Sequence, residues 1–161
     1  MVKPVFLGIG TNLGDREGFL NAAIVNISNS AGKVISLSHI YETEPWGFHA
    51  EQKFLNMVIG IETSLMPDNL LKRLLLIEAQ MGRERNFEGY ASRTIDIDIL
   101  IYNDLVINKP DLQIPHPLIQ VRKFVLVPLC DIAADMIHPV LNKTFASLLE
   151  ECKDVGKVAK Y

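Results

Sequence analysis

Cysteine is scarce in this chain. Cys130 and Cys152 are the only two among 161 residues. They form no CxxC and no metal-type spacing, which argues against a disulfide framework or a thiolate metal site and fits a reduced compartment. Cys130 falls in the apolar run from Phe124 and reads as a small core residue. Long apolar runs are missing too, and nothing approaches the ~20 residues of a membrane span. The opening MVKPVFLGIG has neither the apolar stretch nor the cleavage site of a signal peptide. The expectation is a cytoplasmic protein with no membrane partner. Basic residues are not in excess, with 16 Lys and Arg against 19 Asp and Glu and a net charge of −3. That balance disfavours duplex nucleic acid as a partner. No G-x-x-x-x-G-K-[ST] sequence occurs, so this is not a P-loop enzyme. Repeats, low-complexity tracts and linkers are absent, and 161 residues suit one domain spanning 1–161.

What is present is a sequence of alternating short elements. Val5–Ile9 reads as a buried strand ending in a Gly-rich turn over Gly8–Asp15, with Asp15 capping a helix. Leu20, Ala23, Ile24 and Ile27 form that helix's apolar stripe, and Ala31-Gly32 ends it. Val34–Tyr41 is a second strand, Glu44–Gln52 a loop and Lys53–Ser64 a third strand. Pro67 opens a second helix with the stripe Leu70, Leu74, Ile77 and Met81, stopped at Gly82. A polar loop over Arg83–Ser92 leads to a fourth strand, Thr94–Tyr102. Short strands around Val106 and Ile114 and helices near Phe124–Ala134 and Thr144–Cys152 complete the chain. The order predicts an α+β, ferredoxin-like βαββαβ sandwich with a mainly antiparallel sheet and a C-terminal extension.

The most informative stretch is Arg93–Tyr102, RTIDIDILIY. Side chains alternate across a strand, so Ile95, Ile97, Ile99 and Ile101 share the core face and Asp96 and Asp98 the other. At about 3.3 Å rise per residue, the two aspartate Cα atoms lie roughly 6–7 Å apart. Asp is depleted in strands. Two on one face either form the wet side of a half-exposed strand or supply hard oxygen ligands to Mg²⁺, with substrate phosphates completing the shell. Arg83, Arg85 and Arg93 bracket the loop before this strand, and Arg122 and Lys123 follow Pro115-His116-Pro117. They read as a solvated charged surface or as guanidinium forks for a polyphosphate beside the aspartates. His116, restrained between two prolines, is either structural or a positioned donor. In the third strand Leu55, Met57, Ile59 and Ile61 face the core. Phe54, Asn56 and Val58 face the other side, where Phe54 either packs under a helix or stacks on a planar heterocycle whose edge pairs with Asn56. Trp46 and Phe48 stand in the loop before it.

The chain resembles the 6-hydroxymethyl-7,8-dihydropterin pyrophosphokinases from about Gly8 to Leu149. The resemblance is carried by Gly8–Asp15 (GIGTNLGD), Tyr41–Trp46 (YETEPW), Phe54-Leu55-Asn56, Arg93–Leu100 (RTIDIDIL), Ile114–Pro117 (IPHP) and Arg122–Leu126 (RKFVL). It implies transfer of pyrophosphate from ATP to the hydroxymethyl group of a dihydropterin, releasing AMP. It implies two Mg²⁺ ions on Asp96 and Asp98, with Arg83, Arg93, Asp96 and Asp98 carrying catalysis. ATP would contact Glu78, Arg83, Arg85, Arg93, Ile99, His116 and Arg122. The pterin would stack between Phe54 and Phe124 and pair with Asn56, with Thr43 and Trp46 lining the same pocket. The sequence departs from the family's common pattern at Ser92, Tyr90 and Glu44, all in loops. Competing readings are a DxD nucleotidyl- or glycosyltransferase, or a non-catalytic ferredoxin-like ligand-binding module. The expected partners are the two small substrates alone, bound by a monomer, with the loop around Arg83 closing over the phosphates.

Overall fold

The computed structural model describes residues 3–46, 52–82 and 94–161. Among the described residues are eight strands and four α-helices. They run β1 (Lys3–Thr11), α1 (Arg16–Ser30), β2 (Lys33–Leu37), β3 (Tyr41–Thr43), β4 (Phe54–Thr63), α2 (Pro67–Gln80), β5 (Asp96–Tyr102), β6 (Ile107–Lys109), β7 (Leu112–Ile114), α3 (Lys123–Ala133), α4 (Phe145–Glu151) and β8 (Val158–Lys160). A 3-10 turn at Ile119–Val121 precedes α3. The main sheet is open, six-stranded and antiparallel in every pairing, in the order β5-β1-β4-β3-β8, with β2 also on β4. β6 and β7 form a separate hairpin.

Both faces of the sheet are covered, which explains why β4 is buried along nearly its whole length. On one face, Val5, Leu7, Ile9, Leu55, Met57, Ile59 and Ile61 meet Leu20, Ala23 and Ile27 of α1 and Leu70, Leu74 and Ile77 of α2. Each Val, Leu, Ile or Met among them contributes about 1.5–3 kcal/mol when taken fully out of water. On the opposite face Val58, Leu100 and Ile101 pack with Val125, Leu126 and Leu129 of α3 and Phe145 and Leu148 of α4. That second layer covers only part of its face, and the uncovered part is the cleft described below.

Helix boundaries follow their chemistry. Asp15 caps α1 by accepting from Gly18 N at 3.1 Å, after Gly14 turns the chain with φ 65. Pro67 stands in the first turn of α2, and Thr144 caps α4 through Ser147 N at 3.1 Å.

Four expectations change. Gly8–Thr11 is strand, not turn: β1 continues to Thr11 because β4 and β5 supply partners on both sides. The predicted second strand is two. Ser38 N donates to Val58 O while Ser38 Oγ accepts from Val58 N, so a side chain replaces the ladder and the chain turns before β3. Ile101 does not share a face with Ile95, Ile97 and Ile99. A bulge lets Leu7 pair with Ile99 and Phe6 with Ile101, so Leu100 is the extra residue and alternation reverses. Finally, β8 follows the last helix and pairs with β3, a contact three residues long that no local pattern announces. No helix among the described residues is long and apolar enough to cross a membrane.

Candidate active site

The uncovered end of the sheet is a cleft of about 810 Å³. Its floor follows from strand register. Gly10 stands between Asn56 of β4 and Asp96 of β5, and Gly8 stands between Val58 and Asp98. All project from the same face, so the two glycines leave a groove between an amide on one side and two carboxylates on the other. A Cβ at Gly10 would lie 2.5 Å from Asn56 Oδ1, so only glycine lets that amide lie across β1. One at Gly8 would merely touch Leu100 at 3.4 Å.

Asn56 is buried, and its Nδ2 donates to Thr43 Oγ1 at 2.7 Å. This orients the amide with Oδ1 over Gly10 and leaves its polar edge along the cleft wall. Phe54 and Thr43 are cross-strand partners, and both line the cavity with Trp46 and Phe124. A flat polar ring fits this end: aromatic faces, one amide, one hydroxyl.

Asp96 and Asp98 are half-buried and both line the cavity. Glu78, from α2, is buried, lines the cavity and accepts from Ile97 N at 2.7 Å. It thereby satisfies a backbone donor on the outer edge of β5, where no further strand pairs among the described residues. No cluster of three or more His, Cys, Asp or Glu occurs among the described residues. Asp96 and Asp98 present a carboxylate pair on one face of β5. That donor set suits Mg²⁺, which keeps waters and takes remaining ligands from phosphates. Asp96 and Asp98 would hold it.

His116 and Arg122 also line the cavity. His116 N donates to Leu100 O at 2.9 Å, and Nδ1 accepts from Leu118 N at 3.1 Å. Burial, with the Arg122 charge nearby, pushes this imidazole down to about 4, against a smaller opposing pull from Asp96. At neutral pH the ring is therefore uncharged with its proton on Nε2, a donor and not a cation. Arg122 is buried, with its guanidinium 4.8 Å from the Trp46 ring centroid and 5.5 Å from that of Phe124. Cation–π attraction holds it between the aromatic end and the carboxylate end.

The structure thus brings Glu78, Asp96, Asp98, His116 and Arg122 into one cleft with Thr43, Trp46, Phe54, Asn56 and Phe124. Ile99 is not among the lining residues; it is buried in the core beside α2. Arg83, Arg85, Arg93, Tyr90, Ser92 and Phe48 lie outside the described residues. Leu71, Leu75 and Asp111 also line the cavity, as do Gly8 and Gly10, expected only as part of a strand-to-helix turn. The Gly-x-Gly spacing was the available signal for the last two, legible once the segment is read as strand. His138 is a turn residue whose Nδ1 accepts from Val140 N and Leu141 N.

Comparison with known proteins gives a consistent result. Residues 6–134 match the family described as 7,8-dihydro-6-hydroxymethylpterin-pyrophosphokinase. The 2-amino-4-hydroxy-6-hydroxymethyldihydropteridine pyrophosphokinase of Porphyromonas gingivalis is 41% identical over 138 residues, covering 84% of this chain and 93% of that one. Its namesake from Aquifex aeolicus is 39% identical over 142 residues, 88% of each. The folic acid synthesis protein fol1 of Pneumocystis carinii is 41% identical over 152 residues, and there the chain spans 94% of itself but 20% of the relative. Among solved structures, a Plasmodium falciparum HPPK-DHPS crystal structure superposes with a TM-score of 0.77 at 20% identity, over 94% of this chain and 44% of the other. That likeness is one of fold.

Proposed function

We propose that this chain, which belongs to the 7,8-dihydro-6-hydroxymethylpterin-pyrophosphokinase family, moves a pyrophosphoryl group from ATP to the hydroxymethyl oxygen of 6-hydroxymethyl-7,8-dihydropterin and releases AMP, in folate biosynthesis. The observation that carries the reading is the shared floor of the cleft. Gly10 has the ring-reading amide of Asn56 on one side and Asp96 on the other, so an alcohol carried by a flat ring would lie beside phosphate oxygens gathered at the carboxylates.

The residues divide the work. Phe54 and Phe124 hold the ring by its faces, Asn56 and Thr43 read its edge, and Trp46 closes that end. Asp96 and Asp98 would hold two Mg²⁺ ions, which would supply neutralisation of polyphosphate charge and Lewis-acid polarisation. His116 donates from Nε2 to a phosphate oxygen, and Arg122 adds a fixed positive charge. Glu78 belongs to the nucleotide end by holding the edge of β5, whereas Ile99, buried in the core, is not assigned a ligand contact. Arg83, Arg85 and Arg93 complete the phosphate contacts, with Arg83 and Arg93 acting in catalysis. An alcohol is a weak nucleophile, so positioning and charge neutralisation supply the rate.

The architecture we favour is ferredoxin-like: the order β5-β1-β4-β2 with helices after β1 and β4 supports it. We take residues 1–161 as one domain working as a cytoplasmic monomer on small-molecule substrates alone. Product analysis tests the function. Pterin-dependent AMP formation is expected, and ADP as the main nucleotide product would refute it.

A further inference from the structure

Thr43 and Phe54, which face each other at the ring-binding end, are each preceded by a residue tied to the same arginine. Arg16, the first residue of α1, donates from Nη1 to Glu42 Oε2 at 2.9 Å and to Lys53 O at 2.9 Å. With the Gln52 amide oriented to satisfy both its ends, its oxygen accepts from Arg16 Nε at 3.2 Å and its nitrogen donates to Asn12 O at 2.9 Å. Asn12 Nδ2 donates to Gln52 O at 3.3 Å. The Tyr161 ring lies 5.7 Å from the guanidinium. The Arg16 side chain is 16% exposed and its Glu42 contact part-buried, while the bond to Lys53 O is open to water.

Glu42 is the middle residue of β3, one before its last, and Gln52 and Lys53 directly precede β4. One guanidinium therefore fastens both roots of the β3–β4 connection to the start of α1. The roots carry Thr43, whose hydroxyl orients Asn56, and Phe54, whose ring walls the pocket. Arg16 itself is not among the lining residues. We propose that Arg16 is a positioning residue for pterin recognition, holding the Thr43–Phe54 pair, and through Thr43 the Asn56 amide, in binding geometry. The inference rests on the pyrophosphokinase reading. Arginine is needed because its fork serves separate acceptors at once, whereas a lysine ammonium on a thinner stem cannot reproduce that geometry.

Steady-state kinetics on the full chain test it, with pterin and ATP varied separately for Arg16→Ala, Arg16→Lys, Glu42→Gln and the Arg16→Ala/Glu42→Gln pair. Arg16→Ala should raise the pterin KM about tenfold or more. The ATP KM and kcat at saturating pterin should change little. Arg16→Lys should recover only part of the loss, and the double variant should be no worse than Arg16→Ala, because both act through one contact. An unchanged pterin KM in a folded Arg16→Ala protein overturns the proposal. So do equal losses for both substrates that track a fall in Tm, which mark a structural role alone. Should Arg16→Ala fail to fold, Arg16→Lys and Glu42→Gln decide by the same split. A wild-type chain that forms no AMP with pterin and ATP refutes the underlying reading, and this inference with it.

Discussion

Gly10 and Asn56 are direct partners across β1 and β4, and a methyl group on Gly10 would stand 2.5 Å from Asn56 Oδ1. The glycine is therefore the space in which the Asn56 amide lies. Gly10→Ala must turn that amide away and strain its bond to Thr43 Oγ1. In a strand, alanine is otherwise no worse than glycine, so the fold should survive. Calorimetric titration should show pterin affinity falling about tenfold or more with ATP affinity nearly unchanged. Asn56→Ala should give the same pattern. Equal losses for both ligands would point to disruption of the sheet instead.

Asp96→Ala and Asp98→Ala should each leave circular dichroism unchanged and remove most turnover. Both side chains face the cleft and not the core. Losing several kcal/mol of charge stabilisation corresponds to about 10²–10³ in kcat. A folded variant with near wild-type activity would show that these carboxylates hold no metal.

His116 makes stability depend on pH. Its pKa is ordinarily 6.5 and is pushed down to about 4 in the folded chain, by burial first and Arg122 second. Between those values the unfolded chain binds the extra proton, so stability is complete above about 6.5 and is lost as pH falls towards 4. The loss is about 3 kcal/mol at most. Urea unfolding of wild type and His116→Asn at pH 7, 5.5 and 4.5 checks this. The variant should show a shallower fall, with a residual slope because burial also lowers His138. Parallel slopes would mean that the ring titrates normally.

Arg83→Ala should lower kcat more than it weakens ATP binding. Charges that meet the phosphates chiefly in the transition state affect turnover and not ground-state affinity. Single-turnover rates and ATP titration separate the two. A purely affinity-based defect would assign Arg83 to ground-state binding.

Much of this site was legible in the chain itself, wherever a local period decides which way a side chain points. Asp96 and Asp98, two residues apart between isoleucines, share a face in any strand, and so do Phe54 and Asn56. The helix stripes Leu20–Ala23–Ile27 and Leu70–Leu74–Ile77 are equally local, and both are buried. What no local period contains is the alignment of distant segments. That β1 runs on through Gly8 and Gly10 depends on partners in β4 and β5. The reversal at Leu100–Ile101 depends on a bulge against Phe6 and Leu7, which turns Ile101 into the layer beneath α3. The placing of Arg122 against Trp46, and of Arg16 on Glu42 and Lys53, joins residues 26 to 76 positions apart. Such contacts form only after loop closure and packing have selected one register. Which side chains share a face, and so which carboxylates, aromatics and amide stand together, follows from periodicity and is local. That a glycine separates the amide from the carboxylate follows from register, a property of strands that meet across the fold.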